Sequence, residues 1–366
     1  MVMNKRSYGL GVLGTVLVVA SCMDLSGMPQ PPAYYVRSDL TSDLASTPAG
    51  HVDSNLVNPW GLAYGPQTYF WTANNGSGTS TVYDGNGSPM PAPPLVVTVP
   101  PTPGGNKGSP TGVVFNGSSD FAGDRFIFAS LDGTISGWAA GTSATVRWNN
   151  SASGASYTGL AIGGVGTANY LYAANFAGHT VDVLNASYIP VSLSASAFTD
   201  PTLPAGFSPF GIQALGGVVY LAYAQNAVYH NAGNAAGQGY VSVFNMDGTF
   251  VQRLVSQDTL NAPWGMARGR AGLLGFSDAL LVGNFGDGRI NSYDPLTGRP
   301  LGQLLDAAGA PIAIDGLWGL AFGNGAKAGS ASELYFTAGT QGSTHGLFGA
   351  LSAAEAVDTG EATSGY

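Results

Sequence analysis

Three tryptophans, Trp60, Trp264 and Trp318, each stand immediately before a glycine, and Phe210 stands in the same relation to Gly211. A second set, Asn74, Asn175, Gln225 and Asn284, closes short apolar runs downstream of Gly61, Gly159, Gly211 and Gly265. Aromatic rings offer large apolar faces, and amides offer donors and acceptors without charge. Brought together, such groups suit a neutral polar ligand: a sugar, a glycan or an exposed peptide loop. The same aromatics can instead fill gaps between packed sheets, and both roles stay open at this point. Acid–base chemistry is thinly represented. Asp132 and Asp287 both precede glycine and read first as turn residues. Beyond the first thirty residues the only glutamates are Glu333, Glu355 and Glu361. His51, His179, His230 and His345 fall in no zinc-binding spacing. There is no Gly-x-Ser-x-Gly elbow, and Gly163-Gly164-Val165-Gly166 lacks the strand–helix context of a dinucleotide loop. No catalytic residue is assigned, and the sequence does not decide between an enzyme and a binding module.

The elements that position these residues come from a repeat. Pro59-Trp60-Gly61-Leu62-Ala63 returns around Gly112, Gly159, Gly211, Gly265 and Gly319, at separations of 51, 47, 52, 54 and 54 residues. That period belongs to β-propeller blades. Each glycine phrase is followed by an aromatic or aliphatic strand, a Gly-containing turn and a third alternating strand, as in Tyr69–Asn74 and Thr81-Val82-Tyr83. Asp84-Gly85-Asn86-Gly87 and Asp294–Gly298 are expected hairpin turns. The expected fold is an all-β, six-bladed propeller of four-stranded blades over residues 34–351. The strand Tyr34–Leu40 resembles an outer strand such as Phe250–Val255, and the last blade lacks one. It is therefore expected to pair there and close the ring, hiding an edge that would otherwise invite aggregation. Two insertions interrupt the pattern, 87–108 between the first and second blades and Asn226–Gly239 within the fourth. Residues 352–366 form a small, polar tail for which a short helix and disorder are equally compatible.

Composition narrows the partners. Hydrophobic residues are 45% of the chain and charged ones 9%, which excludes a disordered chain. At the N-terminus Lys5 and Arg6 precede an apolar run and Val19-Ala20-Ser21-Cys22. This is the layout of a secretory signal, too short to span a bilayer. It resembles a bacterial lipobox, which implies a signal peptide over 1–21, a lipid on Cys22 and a tether over 22–33. Asp24 is not directly after Cys22, which favours the outer membrane over the inner. A plain secreted protein is the alternative. Loss of Lys5 and Arg6 lowers the 12 basic residues to 10, against 21 acidic ones, so nucleic acid is not an expected partner. Cys22 is the only cysteine, so no disulfide forms within the chain.

Pro59–Ala63 with Trp71–Asn74, and Pro263–Ala267 with Val282–Asn284, resemble the NHL repeat. More closely, Asn55–Ala63 followed by Trp71–Gly76 resembles an uncharacterised bacterial family of exported six-bladed proteins, over roughly residues 34–350. The resemblance implies that the inner-strand starts and second-strand ends share one face of the disc. Trp60, Thr111, Thr158, Phe210, Trp264 and Trp318 would then ring a mouth beside Asn74, Asn175, Gln225 and Asn284. The main expectation is a monomeric, membrane-anchored binding or scaffolding propeller outside the cytoplasm, with a glycan or protein loop as ligand. The alternative implied by the wider class is a metal-assisted lactone or ester hydrolase. No cofactor is expected beyond an axial calcium ion, for which Asn74, Asn175, Asn284, Asp132 and Asp287 are the weak candidates.

The leader yields a direct prediction. Expressed in a Gram-negative host with radiolabelled palmitate, the full chain should take up label and Cys22→Ser should not. Equal labelling of both would contradict lipidation at Cys22.

Overall fold

The computed structural model describes residues 34–226, 235–269 and 276–354. The expected leader, Cys22 and tether, most of the fourth-blade insertion with His230, and the tail from 355 lie outside the described residues. The chain enters as β1 (Tyr34–Ser42) and the two-residue β2 (His51–Val52). Blade one is β3 (Pro59–Ala63), β4 (Phe70–Asn74), β5 (Thr79–Tyr83) and β6 (Val96–Thr98). Blade two is β7 (Pro110–Phe115), β8 (Phe126–Ser130), β9 (Thr134–Trp138) and β10 (Thr145–Asn149). Blade three is β11 (Tyr157–Val165), β12 (Ala168–Asn175) and β13 (Thr180–Asn185). Blade four is β14 (Phe207–Leu215), β15 (Val218–Gln225), β16 (Tyr240–Asn245) and β17 (Phe250–Ser256). Blade five is β18 (Pro263–Arg268), β19 (Leu280–Asn284), β20 (Ile290–Tyr293) and β21 (Pro300–Gln303). Blade six is β22 (Leu317–Phe322), β23 (Leu334–Ala338) and β24 (Leu347–Ala354), completed by β1 and β2.

The ring closes as expected. β1 pairs antiparallel with β24 from Tyr34 opposite Ala354 to Ser42 opposite Leu347, with an irregularity between Asp39 and Thr41. Just past β1, Asp43 accepts hydrogen bonds from His345 Nδ1 at 2.8 Å and from the Gly346 amide at 2.9 Å. The first and last strands are thus joined by a ladder and by a side-chain clasp.

Two details depart from the expected pattern. Blade one takes β6 from inside the Pro-rich stretch 87–108, so part of that insertion is a strand. Blade three has three strands, and the chain beyond β13 makes only an isolated bridge between Leu184 and Pro190. Pro190 cannot donate to a ladder, and Pro201 and Pro204 follow it. Phe198 packs into the core between blades three and four instead. Asp200 lies in the same connection and reaches Arg253 on β17, which donates through Nε at 2.7 Å and Nη2 at 2.8 Å.

The glycine phrase is explained by contact between neighbouring inner strands. A Cβ on Gly61, Gly112, Gly211, Gly265 or Gly319 would come closer than 3.0 Å to backbone atoms of the next blade's inner strand, and one on Gly159 would sit 3.2 Å from Phe210 O. Threonines add hydrogen bonds across the same seams. Thr111 Oγ1 donates to Tyr157 O at 2.8 Å, Thr158 Oγ1 to Phe210 O at 2.8 Å, and Thr337 Oγ1 to Trp60 O at 2.6 Å. Among the described residues, no helix is long and apolar enough to cross a membrane.

Asp200 makes the fold acid-sensitive in a defined way. Burial alone would raise its carboxyl, but Arg253, the Thr202 amide and the Ser242 hydroxyl outweigh burial and hold it below the ordinary carboxylate range. The stability this contributes is present above the unfolded-state value and is lost as pH falls through the lower folded-state value. Asp200→Asn should cost about 3 kcal/mol at pH 7, because Arg253 loses its partner, and should flatten the acid limb of the stability profile. Urea unfolding across pH 3–7 (roughly the carboxylate range) measures both. A variant as stable as the parent would contradict this role.

Candidate functional site

All six inner strands begin at the same end of the axis, so the residues before the glycines meet there. Trp60, Phe210, Trp264 and Trp318 from these positions form a cluster with Phe176, and Phe285 and Leu131 pack against it. Trp60 stacks on Trp318 with ring centroids 3.6 Å apart, and Phe285 stacks on Trp318 at 4.0 Å. Trp264 meets both tryptophans edge-on, at 6.1 and 5.6 Å. Phe210 is 0% exposed, Trp318 2% and Trp264 9%. Trp264 Nε1 also donates to Thr158 O at 2.8 Å, from blade five to blade three. Burial stabilises by roughly 2–3 kcal/mol per ring, and each offset or edge-on pair adds about 1 kcal/mol. The aromatics fill this end of the axis as a shared packing centre.

A small cup of about 150 Å³ remains over the cluster, bounded by Trp60, Phe210, Phe285 and Trp318 with Asn58, Asn75, Leu131 and Ser343. Its polar edge has a fixed sense. An indole N–H only donates, so Asn58 must present its oxygen to Trp318 Nε1, 3.0 Å away. Asn58 Nδ2 then faces Asn75 Oδ1 at 3.5 Å. That leaves Asn75 Nδ2, which is buried and has no protein partner. A buried donor left unpaired costs about 1–3 kcal/mol, and a ligand with an acceptor oxygen would recover it.

Trp60, Phe210 and Trp318 therefore line the cup, while Trp264 lies in the cluster behind it. The four amides singled out in the sequence do not meet there. Asn74 Nδ2 donates to Thr81 Oγ1 at 2.9 Å and its Oδ1 accepts from Thr72, all inside blade one. Asn175 Nδ2 donates to Asp182 at 3.1 Å, and its Oδ1 accepts from the Ser156 and Gly178 amides. Asn284 Nδ2 donates to Asp287 Oδ1 in the turn after β19 and to Thr259 O in the connection entering blade five, while its Oδ1 is buried with no protein hydrogen bond. Gln225 ends β15 and is not among the residues bounding the cup. Asp132 caps its own turn through Thr134 and accepts the Thr102 amide at 2.6 Å. The axial residues are instead those directly after the ends of β4, β8, β12 and β19: Asn75, Leu131, Phe176 and Phe285. Side chains in a strand alternate between faces, so one position separates a blade-internal residue from an axial one. The alternation itself was the available signal.

Among the described residues, no three His, Cys, Asp or Glu side chains lie close enough to share a metal ion. Of the histidines, His179 pairs with Ser208, which donates on to Asn226, and His345 clasps Asp43. Both sit in strand-connecting turns.

The chain matches no protein-family model. Two uncharacterised proteins of Acanthamoeba polyphaga mimivirus are each 32% identical to it over 322 residues, covering 83% of this chain and 76% and 82% of their own lengths. Among solved structures, it is similar to the apo soluble aldose sugar dehydrogenase of Escherichia coli, with a TM-score of 0.55 and 14% identity over 87% of this chain and 99% of that one. A catalytically inactive virginiamycin B lyase of Staphylococcus aureus, solved with quinupristin, aligns with a TM-score of 0.52 and 12% identity over 87% and 99% of the two chains. At these identities the structural likeness establishes the propeller fold.

Proposed function

The chain belongs to the family of the two mimivirus proteins, and on that footing we propose that it is a binding propeller whose cup holds one neutral polar unit of a glycan. The observation that carries this reading is Asn75 Nδ2, an unpaired buried donor beside a stacked aromatic floor. A pyranose ring offers both complements, an apolar C–H face for the partly exposed Phe285 ring at the edge of the stack and hydroxyl oxygens for the amide. The cup carries no formal charge, which fits a neutral ligand. A monomer displayed at the cell envelope by a lipid on Cys22, in the outer membrane, completes the proposal.

The fold shared with a lyase and a sugar dehydrogenase favours a second reading, a metal-assisted lactone or ester hydrolase. It requires Asn74, Asn175 and Asn284 to turn toward one ion with Asp132 or Asp287. Their hydrogen bonds hold them in separate blades.

A glycan array probed with the purified propeller tests the first reading. A carbohydrate hit should bind Asn75→Leu about tenfold more weakly, the loss expected for one hydrogen bond of about 1.4 kcal/mol. Absence of any hit, or equal binding by the variant, would contradict it. Calcium-dependent hydrolysis of a lactone panel would replace it with the second reading.

A further inference from the structure

The opposite end of the axis is open and chemically different. The inner strands finish around a cavity of about 310 Å³, and a narrow waist of about 30 Å³ links it toward the aromatic cluster. Leu62, Val113, Leu160, Ile212, Met266 and Leu320, each one residue past a blade glycine, form the waist. One position further on, five blades supply Ala63, Val114, Ala161, Ala267 and Ala321, and blade four supplies Gln213. Gln213 lines both waist and cavity. In the neighbouring blade the next position is Arg268, at the cavity rim. Arg268 Nε donates to Asp278 O at 2.8 Å, which fixes the guanidinium there. Its contact with the Asp278 carboxylate is long, 3.9 Å, and that carboxylate is 90% exposed. Such a pair neutralises little charge.

The walls are uneven on the same end. β11 and β14 are nine residues long, whereas β3 has five and β7, β18 and β22 have six. At this end β11 runs six residues past Gly159 and β14 four past Gly211, against two or three in the other blades. The hairpin of blade three therefore stands roughly 10 Å higher and that of blade four roughly 3 Å higher. Gln213 and Arg268 thus stand where blades four and five adjoin, and among the described residues they are the only amide and the only cation lining a cavity whose other side chains, the Tyr64 phenol apart, are apolar. An amide and a guanidinium on one side of an apolar basin match an acceptor-only anion joined to a hydrocarbon body.

We propose that this end of the bore binds an amphipathic monoanion, an alkyl carboxylate whose chain lies on Leu62, Val113 and Met266 and whose carboxylate is held by Arg268 and Gln213. The site is independent of the cup, which lies beyond the aromatic cluster. Displacement of a dansyl-undecanoate probe from the purified protein, with decanoate and decanol as competitors, tests it. Decanoate should compete at least tenfold better than decanol. Arg268→Gln should weaken decanoate about tenfold and leave decanol unchanged, and Gln213→Leu should weaken decanoate while improving decanol. Equal competition by acid and alcohol, or a probe that fails to bind protein of native near-ultraviolet circular dichroism, would overturn the proposal. So would an Arg268→Gln variant that binds decanoate as the parent does.

Discussion

The inner strands of this propeller approach their neighbours more closely than any residue with a Cβ would permit at five of six seams, and the rest of the molecule is arranged around that approach. Gly61 faces Thr111 and Val113, Gly112 faces Leu160, Gly211 faces Trp264, Gly265 faces Trp318, and Gly319 faces Trp60. The sequence of contacts runs once around the ring and returns to its start. Each sheet thereby buries its faces against its neighbours, which a lone four-stranded sheet cannot do. A ring also needs its ends joined, and β1 supplies that by completing the blade that contains the C-terminal strand. Without disulfides, closure rests on this ladder, on the Asp43 clasp and on the threonine bonds across the seams.

The close approach also decides what happens on the axis. Side chains preceding the glycines are driven together at one end, where three indoles and several phenyl rings fill the available volume. Their contacts leave a cup with an aromatic floor and an unmet amide donor, Asn75 Nδ2. At the other end Ala63, Val114, Ala161, Ala267 and Ala321, two positions past their glycines, leave room on the axis and the bore opens into a cavity. The two ends share a scaffold but differ in chemistry: uncharged and amide-edged at the cup, apolar with one cation at the basin.

Much of the architecture was legible because glycine spacing reports a steric requirement that no other residue meets. Ring closure was legible too, since Tyr34–Leu40 repeats the character of an outer strand while the last blade runs out of chain. The site was less legible. Trp60, Trp264 and Trp318 look alike in sequence, yet Trp264 is turned behind the cup by its bond to Thr158. The amides at 74, 175 and 284 sit one pleat position from the axis, and their Nδ2 groups donate within their own blades. Asn58 and Asn75 matter because of a donor–acceptor chain spanning blades one and six, a pairing between residues 260 positions apart. Blade three lost its fourth strand to a proline-containing connection, and β6 was hidden inside another.

Gly265→Ala offers the sharpest test of the closure, because two effects of opposite sign meet there. Gly265 has no left-handed backbone to protect, so alanine on conformational grounds alone should stabilise the strand by roughly 0.5–1 kcal/mol. The new Cβ, however, would meet Trp318 O across the seam. The contact account predicts that urea unfolding of the variant shows a net loss of about 1–3 kcal/mol. A variant as stable as the parent, or more stable, would mean that the inner strands can part at no cost and that the glycine ring is not what shapes the axis.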